Sequence, residues 1–576
     1  MVKTLCYLLL GCLPAALAAA EPSASALTVF TARKIVTMEP ALPEATAVAV
    51  SEGRIVAVGN LSSMQPWIDA RGGTIDRTLE DKVLMPGFID PHVHPSLPAI
   101  VTQFPFLAPD DWSLPTGDFP GAKTPEAYAA RLVEMVAAHD DPAVPFVAWG
   151  YHPLWHGKVY RPQLDALFPE QPVILWHRSF HELIANTAAL AMLGITEADV
   201  EGQHEVNWEK GHFWENGAAA LVPKMPFLFE PKRYAAGMQN FLAMLHRGGV
   251  TTALDMGTGV FGNPEAEIGL IRQVAETSKA PARLILTPII TYFLGKKLSI
   301  PEALATVDKW REGNTRRVLF DRRFKLMMDG AIFSGLAQFG PPGYLDGHEG
   351  VWMAPLETTT KWAQAFWNEG YQLHAHTNGD RSAAAMIELL RTLLEEKPRP
   401  DHRFSLEHFA YTTEDQNRQL KALGAVVSAN PYYQYILSDI YSNQWLGEDR
   451  GGQMVRLGSL ERLGVPFTLH SDCPMAPLEP LTLAWSATNR VTINGNLTAP
   501  EERVSLDAAL RAITSEAAWV MGWEDEIGSI RAGKRADFTV LEANPYEVGA
   551  KGLKEIRVWG TVFEGELAPL RPDPLR

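Results

Sequence analysis

The chain has 576 residues, of which 46% are hydrophobic and 20% are charged, and its formal net charge at pH 7 is −16. This balance is typical of a folded globular protein and excludes a largely disordered one. The acidic charge argues against a nucleic-acid partner, because phosphate backbones require a basic protein surface. The length suffices for one large domain with a smaller one beside it.

The N-terminus is typical of a secretory signal peptide. Lys3 precedes a mostly apolar run over residues 5–20, which ends in small residues before Glu21. This pattern predicts a signal peptide at 1–20 and a periplasmic or secreted protein. An uncleaved N-terminal anchor and lipidation at Cys12 are the alternatives. Since no other apolar stretch reaches membrane-spanning length, we expect no stable membrane span after cleavage.

Short strands rich in β-branched residues lie near both chain ends. The predicted strands cover residues 27–37, 46–58 (with a turn at Glu52-Gly53), 537–541 and 555–562. Alternation and turn residues of this kind indicate strands. We therefore predict a small β-sandwich domain composed of residues 21–84 and 530–576.

The middle of the chain alternates short apolar strands with longer amphipathic helices, of which 360–369, 383–396 and 413–423 are examples. The predicted strands are 84–89, 250–255, 282–290, 324–328, 371–376, 404–408, 425–429 and 466–469. This α/β pattern predicts a (β/α)₈ TIM-type barrel over residues 85–529. A doubly wound open sheet is the competing layout.

A long segment separates the first predicted barrel strand from the second. It covers about residues 100–240, is rich in Trp, His and Pro, and exceeds an ordinary connection. An insertion after the first strand of a barrel lies at the catalytic face. We expect it to form a lid or a substrate-binding wall, with Trp155 contacting substrate or packing in the insertion's own core.

The segment Pro86-Gly87-Phe88-Ile89-Asp90-Pro91-His92-Val93-His94 carries the strongest chemical signal. Residues i and i+2 of a strand point to the same side, so His92 and His94 at a strand end can bind one divalent metal. Further ionisable residues lie at the ends of later strands, where barrels place their catalytic groups. They are Lys325, His376, His408 and Asp472.

Imidazoles and carboxylates are ligands for zinc-like ions, and a bound metal lowers the pKa of a water molecule toward neutrality. An aspartate beside such a water can take its proton and return it to a leaving amine. Asp472 is the candidate for this role. His408 can ligate metal or polarise the substrate carbonyl.

Together these motifs resemble the amidohydrolase superfamily, and within it the family 3 branch that is similar to N-substituted formamide deformylases. The resemblance also rests on His181 with Asn186, on Lys325 with Asp329-Gly330, and on Ser471-Asp472. It implies one metal held by His92, His94 and Asp472, and a second held by His376 and His408. A carboxylated Lys325 would bridge them, since an ammonium cannot ligate a cation.

The resemblance thus implies a hydrolase for a small-molecule amide, formamide or other non-peptide C–N bond, using hydroxide activated by one or two divalent metals, with zinc expected. His181, Asn186 and Asp329 are predicted substrate contacts. His181 and Asn186 could equally brace the insertion, and Lys325 could be a structural lysine paired with Asp329. An esterase, lactonase or phosphoesterase, a non-catalytic binding relative, and a homodimer stay open.

Overall fold

The computed structural model describes residues 27–570, so the predicted signal peptide at 1–20 lies outside the described residues. The N-terminal elements are β1 (Thr28–Val36), β2 (Glu44–Ser51), β3 (Arg54–Gly59), α1 (Leu61–Arg71), β4 (Thr74–Asp76), β5 (Val83–Pro86) and β6 (Phe88–Val93). The inserted segment follows with α2 (Ser96–Val101), β7 (Trp112–Leu114), β8 (Gly117–Phe119), α3 (Pro125–Ala137), β9 (Phe146–Tyr151), α4 (Pro153–His156), α5 (Arg161–Leu167), β10 (Val173–His177), β11 (Glu182–Ala185), α6 (Thr187–Met192), β12 (Val206–Asn207), β13 (His212–Trp214), α7 (Asn216–Leu221) and α8 (Pro231–Arg247).

The remaining elements alternate strands and helices until the chain returns to its N-terminal strands. They are β14 (Val250–Thr258), α9 (Pro264–Thr277), β15 (Arg283–Pro288), α10 (Ile290–Gly295), α11 (Ile300–Glu312), β16 (Val318–Phe320), β17 (Arg323–Met327), α12 (Leu356–Asn368), β18 (Gln372–Thr377), α13 (Asp380–Glu396), β19 (Ser405–His408), α14 (Glu414–Leu423), β20 (Val426–Ala429), α15 (Tyr432–Tyr441), α16 (Glu448–Gly451), α17 (Leu457–Leu463), β21 (Phe467–Leu469), α18 (Pro480–Asn489), α19 (Leu506–Ala512), α20 (Ser515–Val520), β22 (Phe538–Leu541), α21 (Pro545–Gly552), β23 (Val558–Phe563) and β24 (Glu566–Pro569). None of the helices within residues 27–570 is both long and apolar enough to cross a membrane.

Nine strands form two parallel sheets at the centre of the molecule. The first sheet has the order β16-β15-β14-β6, in which β16 is a short extra strand, and the second has the order β17-β18-β19-β20-β21. Isolated parallel bridges join the sheets at Ile289–Lys325 and at Val93–Cys473. All of these strands run in the same direction, so their carboxyl ends meet at one face of the molecule.

The first predicted barrel strand is wrong in one respect. Residues 84–89 are not one strand, because the chain breaks at Gly87 between β5 and β6. A Cβ atom on Gly87 would lie 2.0 Å from Oγ1 of Thr251, so only glycine fits where β6 approaches β14. The other seven predicted strands overlap β14, β15, β17, β18, β19, β20 and β21, and are confirmed.

Strands from both chain ends pair in one sheet, as the sequence predicts. Its order is β24-β23-β22-β5-β1-β2-β3, with β4 also paired to β1. The strands form one eight-stranded sheet in place of the two separate sheets of a sandwich. Arg283 of β15 is fully buried against this sheet and donates hydrogen bonds to Asp537 at 3.0 Å and Glu564 at 2.7 Å.

The insertion contains a five-stranded sheet that the sequence analysis does not predict, with the order β12-β13-β11-β10-β9. A buried arginine connects it to the central strands. Arg178 donates hydrogen bonds to Oδ2 of Asp110 at 3.0 Å and to the carbonyl of Pro474 at 3.3 Å, and Tyr432 donates to Asp110 at 3.0 Å. The guanidinium of Arg178 also lies over the rings of Trp112, Trp149 and Phe333.

Replacing Arg178 by methionine should lower the free energy of unfolding by about 3–5 kcal/mol, because the carboxylate of Asp110 stays buried without its cation. Urea denaturation measures the effect. Arg418→Met is the matched control, since Arg418 forms an exposed ion pair with Glu414 at 2.7 Å and should cost less than about 1 kcal/mol. Equal losses for the two variants would contradict the structural role of Arg178.

Candidate metal centre

The ionisable residues predicted at strand ends converge at one buried point. His92 lies in β6, Lys325 in β17, His376 in β18 and His408 at the end of β19, while His94 and Asp472 directly follow β6 and β21. Parallel strands in adjacent positions bring their carboxyl ends together, which explains the convergence. All of these side chains are buried except that of His94, which is partly exposed.

Two overlapping groups of side chains have the spacing of a metal site: His92 with His94 and Asp472, and His92 with His408 and His470. In the first group Oδ1 of Asp472 lies 3.1 Å from Nε2 of His94 and 3.5 Å from Nε2 of His92. In the second group the ring of His92 lies 4.6 Å from that of His408 and 4.5 Å from that of His470.

Several ligand atoms of this cluster lack a hydrogen-bond partner in the described structure: Nε2 of His408, Nε2 of His470 and Oδ1 of Asp472. Unpaired polar atoms are rare in protein interiors, because each loses its contact with water. Buried imidazole nitrogens and a carboxylate oxygen are the ligand types that zinc-like ions take. The residues present therefore fit a divalent metal.

Burial keeps the imidazoles of this cluster neutral. It lowers the pKa of His92 and His408 well below the ordinary value and that of His470 to about 4, and the nearby Lys325 lowers them further. Metal binding requires a neutral imidazole. These histidines therefore hold the protonation state of ligands throughout the neutral pH range.

Glu407 orients His92 from behind. Its Oε2 accepts a hydrogen bond from Nδ1 of His92 at 2.6 Å, and its Oε1 accepts one from Nδ1 of His374 at 2.7 Å. Burial alone would raise the pKa of Glu407, but these contacts and the charge of Lys325 outweigh it and lower the pKa. An ionised Glu407 fixes the proton on Nδ1 and leaves Nε2 of His92 free to bind a metal.

Lys325 lies inside the cluster, with Nζ 3.3 Å from Nε2 of His92. Burial lowers the pKa of Lys325 to about 8, against the opposing charges of Glu407 and Asp472. The lowered pKa makes the uncharged amine, the form that can react with carbon dioxide, far more abundant near neutral pH than in an ordinary lysine. The carboxylate of Asp329, which the sequence suggested as an ion-pair partner of Lys325, is occupied by other hydrogen bonds.

The backbone is strained at two residues of the centre, His408 with φ 74° and Asp472 with φ 55°. A side chain other than glycine costs about 1–3 kcal/mol in such conformations. The contacts around Asp472 hold it in place: the backbone N–H and Oγ of the preceding Ser471 donate to the carboxylate of Asp90 in β6. Strain of this kind accumulates at functional sites.

The second cluster includes His470, which the sequence did not indicate as a ligand. The predicted ligand His376 lies beside this cluster, with its ring 4.3 Å from that of His408 and its Nε2 2.9 Å from Nδ2 of Asn378, and its metal-binding role stays a prediction. The sequence analysis misses His470, although it stands two residues before Asp472, the same spacing as between His92 and His94.

The sequence analysis also misses Tyr433, whose hydroxyl lies 3.2 Å from Nδ1 of His408 and 3.4 Å from Oδ2 of Asp472. Tyr433 belongs to α15, which follows β20. Its position just after the end of a central strand is the signal that would have identified it.

Two predicted substrate contacts have structural roles instead. Asn186 caps α6: its Oδ1 accepts from the backbone N–H of Ala189 and Val173, and its Nδ2 donates to two carbonyls. No hydrogen-bonding capacity is left for a substrate. The Asp329 carboxylate, buried after β17, accepts from Ser382 and from the backbone N–H groups of Gln338, Asn378 and Gly379.

Trp155 is buried in α4 with its Nε1 unpaired in the described structure, and it packs in the main hydrophobic core. His181 alone among the four predicted contacts is partly exposed, with a quarter of its side chain accessible. It lies in the insertion within the electrostatic reach of Asp472 and His376. His181 therefore stays a candidate substrate contact.

The chain is similar to known proteins over most of its length. Residues 74–568 match the model of the amidohydrolase family. The N-substituted formamide deformylase of Arthrobacter pascens is 25% identical over 564 residues, covering 91% of this chain and 94% of that protein. The protein LONG AFTER FAR-RED 3 of Arabidopsis thaliana is also 25% identical, over 90% of this chain and 87% of its own length.

The fold is likewise similar to solved structures. An uncharacterized metal-dependent hydrolase from Pyrococcus horikoshii OT3 superposes with a TM-score of 0.70 at 18% identity, covering 91% of this chain and 99% of that chain. The arrangement of strands and helices is thus the TIM-barrel-type α/β fold of metal-dependent hydrolases. With a family match over most of its length, the chain belongs to the amidohydrolase family.

Proposed function

We propose that this protein is a metal-dependent hydrolase that cleaves an amide, formamide or other non-peptide C–N bond of a small molecule. The observation that carries the proposal is the group of unpaired ligand atoms on His408, His470 and Asp472, gathered around His92 at the carboxyl ends of the central strands. The family membership and the name of the Arthrobacter pascens relative support the reaction class.

In this proposal His92, His94 and Asp472 hold one divalent ion, with zinc expected. His376 and His408 would hold a second, with His470 and a carboxylated Lys325 beside it. A bound ion would supply positive charge that polarises the substrate carbonyl and lowers the pKa of a water molecule. Mono- and binuclear forms are both compatible with this set of ligands.

Asp472 is placed to handle the proton. Its carboxylate reaches His94, His408 and Tyr433, so it can accept the proton of the attacking water at Oδ1 while Oδ2 stays in contact with the tyrosine hydroxyl. If His408 does not ligate the metal, it can instead polarise the substrate carbonyl. Glu407 keeps His92 oriented throughout.

Three further proposals concern the protein as a whole. The two parallel sheets, joined at both edges by isolated bridges, constitute one (β/α)₈ barrel with the terminal sheet as a separate small domain. The signal-like N-terminus directs the protein to the periplasm or the exterior. A homodimer is compatible with the fold.

The test is to purify the mature protein without added metal and to measure its metal content and its hydrolysis of N-substituted formamides. One or two equivalents of a zinc-like ion, with amine release that chelation abolishes and zinc restores, would support the proposal. Hydrolysis of esters, lactones or phosphoesters in preference to formamides would change the substrate class. A chain that neither retains nor rebinds zinc would refute the mechanism and favour a binding function.

A further inference from the structure

A second histidine–carboxylate pair lies in the insertion, within electrostatic reach of the metal centre. His181 precedes β11 and Glu215 follows β13, and the backbone N–H of Glu215 donates to the carbonyl of His181 at 2.8 Å. Their side chains meet as well, with Nδ1 of His181 2.7 Å from Oε2 of Glu215. Glu215 is buried, whereas a quarter of the His181 side chain is accessible.

The contact with Glu215 determines which ring nitrogen of His181 is available to a substrate. A carboxylate only accepts hydrogen bonds, so Nδ1 of His181 carries a proton and donates to Glu215. Nε2 has no hydrogen-bond partner among the side chains that the structure describes, so this atom is the one that can exchange a proton with a substrate. A histidine oriented by a buried carboxylate in this way is the arrangement of an acid–base catalyst.

Two positive φ angles lie at this pair: φ is 70° at Phe180, directly before His181, and 45° at Glu215. Such conformations cost about 1–3 kcal/mol each, so the surrounding contacts must hold both residues in place.

The charges around His181 favour its protonated form. Burial alone would lower the pKa of His181, but Glu215 raises it, with smaller contributions from Asp472 and Glu182. Two further imidazoles lie close enough to interact with it, His177 of β10 and His376 of β18. The same interactions place His181 in the electrostatic field of the metal centre.

We propose that His181, in place of the Asp472 that the sequence suggested for this step, protonates the leaving amine as general acid and that Glu215 is its positioning residue; this inference rests on the proposed function. Water adds to the carbonyl carbon and its proton passes to Asp472. As the C–N bond breaks, its electron pair stays on nitrogen, which takes the proton from Nε2 of His181. The products are a carboxylic acid and an amine, and the proton on Asp472 then returns to His181 through solvent.

The proposal predicts a dependence on the leaving group. With zinc-loaded enzyme, His181→Gln should reduce kcat by about 10²–10⁴-fold for an N-alkylformamide, whose amine must be protonated to leave. For N-(4-nitrophenyl)formamide, whose nitrogen leaves without prior protonation, the loss should stay below about tenfold. Glu215→Gln should shift the alkaline limb of kcat/KM for the alkyl substrate to lower pH, because removing the carboxylate lowers the pKa of His181.

His212→Gln is the matched control, because His212 lies in the same sheet and its Nε2 contacts Oε2 of Glu182 at 2.6 Å. It should change neither the leaving-group dependence nor the pH profile. Zinc content and thermal unfolding verify that each variant is folded and loaded. Equal losses on both formamides, or no loss, would overturn the role of His181 while leaving the hydrolase intact. A wild-type enzyme that cleaves neither formamide would overturn the proposed function and this inference with it.

Discussion

Asp472→Asn should reduce kcat for any amide substrate on the order of 10³–10⁴-fold while leaving the protein folded. In the proposed mechanism the carboxylate takes part in two ways: its Oδ1, which lies 3.1 Å from Nε2 of His94 and has no hydrogen-bond partner in the described structure, would ligate the metal, and the carboxylate would accept the proton of the attacking water. An amide of the same shape can keep the contact with Tyr433 but cannot accept that proton. Steady-state kinetics with zinc in excess measures the loss.

Thermal unfolding and zinc analysis of the same samples separate lost chemistry from lost structure. Asp415→Asn is the control, because Asp415 lies on the exposed surface of α14 and accepts a hydrogen bond from Gln419. Near-normal turnover by Asp472→Asn would refute the role of Asp472 as base. Complete loss of zinc by this variant would make Asp472 primarily a ligand, and the rate could then no longer be assigned to proton transfer.

The sequence predicts where the candidate metal centre lies better than it predicts which histidines line it. Short apolar strands that end in His, Lys or Asp are visible in the sequence, because parallel strands and their ends follow local patterns. Which of two neighbouring histidines turns its ring toward the cluster depends on packing between strands. His376 has an amide partner in Asn378 at 2.9 Å, while Nε2 of His470 is left unpaired, and no local pattern distinguishes the two.

The first predicted barrel strand, residues 84–89, shows a similar limit to what the sequence can predict. Residues 83–93 are almost uniformly apolar up to Asp90, so periodicity gives no sign that β5 joins the terminal sheet and β6 the central one. The division at Gly87 follows from the approach of Thr251, a residue far away in the chain. Long-range contacts of this kind decide strand boundaries that composition leaves undefined.

Asn186 illustrates a signal that was present but open to two interpretations. An asparagine directly before Thr-Ala-Ala-Leu is a standard N-cap, and the structure places it there with all its hydrogen bonds satisfied. The same residue in a family motif suggested substrate binding. Burial decides between these readings, and burial within an insertion is not visible from one sequence.

Lys325→Ala should lower the zinc content from about two to about one per chain and reduce kcat on the order of 10²-fold. Lys325 lies 3.3 Å from His92, and its burial lowers its pKa to about 8, so it can carry a carboxyl group that ligates both metals. Zinc uptake by metal-free wild-type enzyme should then require bicarbonate, and propionate should restore part of the activity of the variant by replacing the lost carboxylate.

Lys534→Ala is the control, because Lys534 is also buried but donates to Ser529 and Ile527 near the terminal sheet. If Lys325→Ala binds two zinc ions and turns over normally without bicarbonate, Lys325 is a structural lysine.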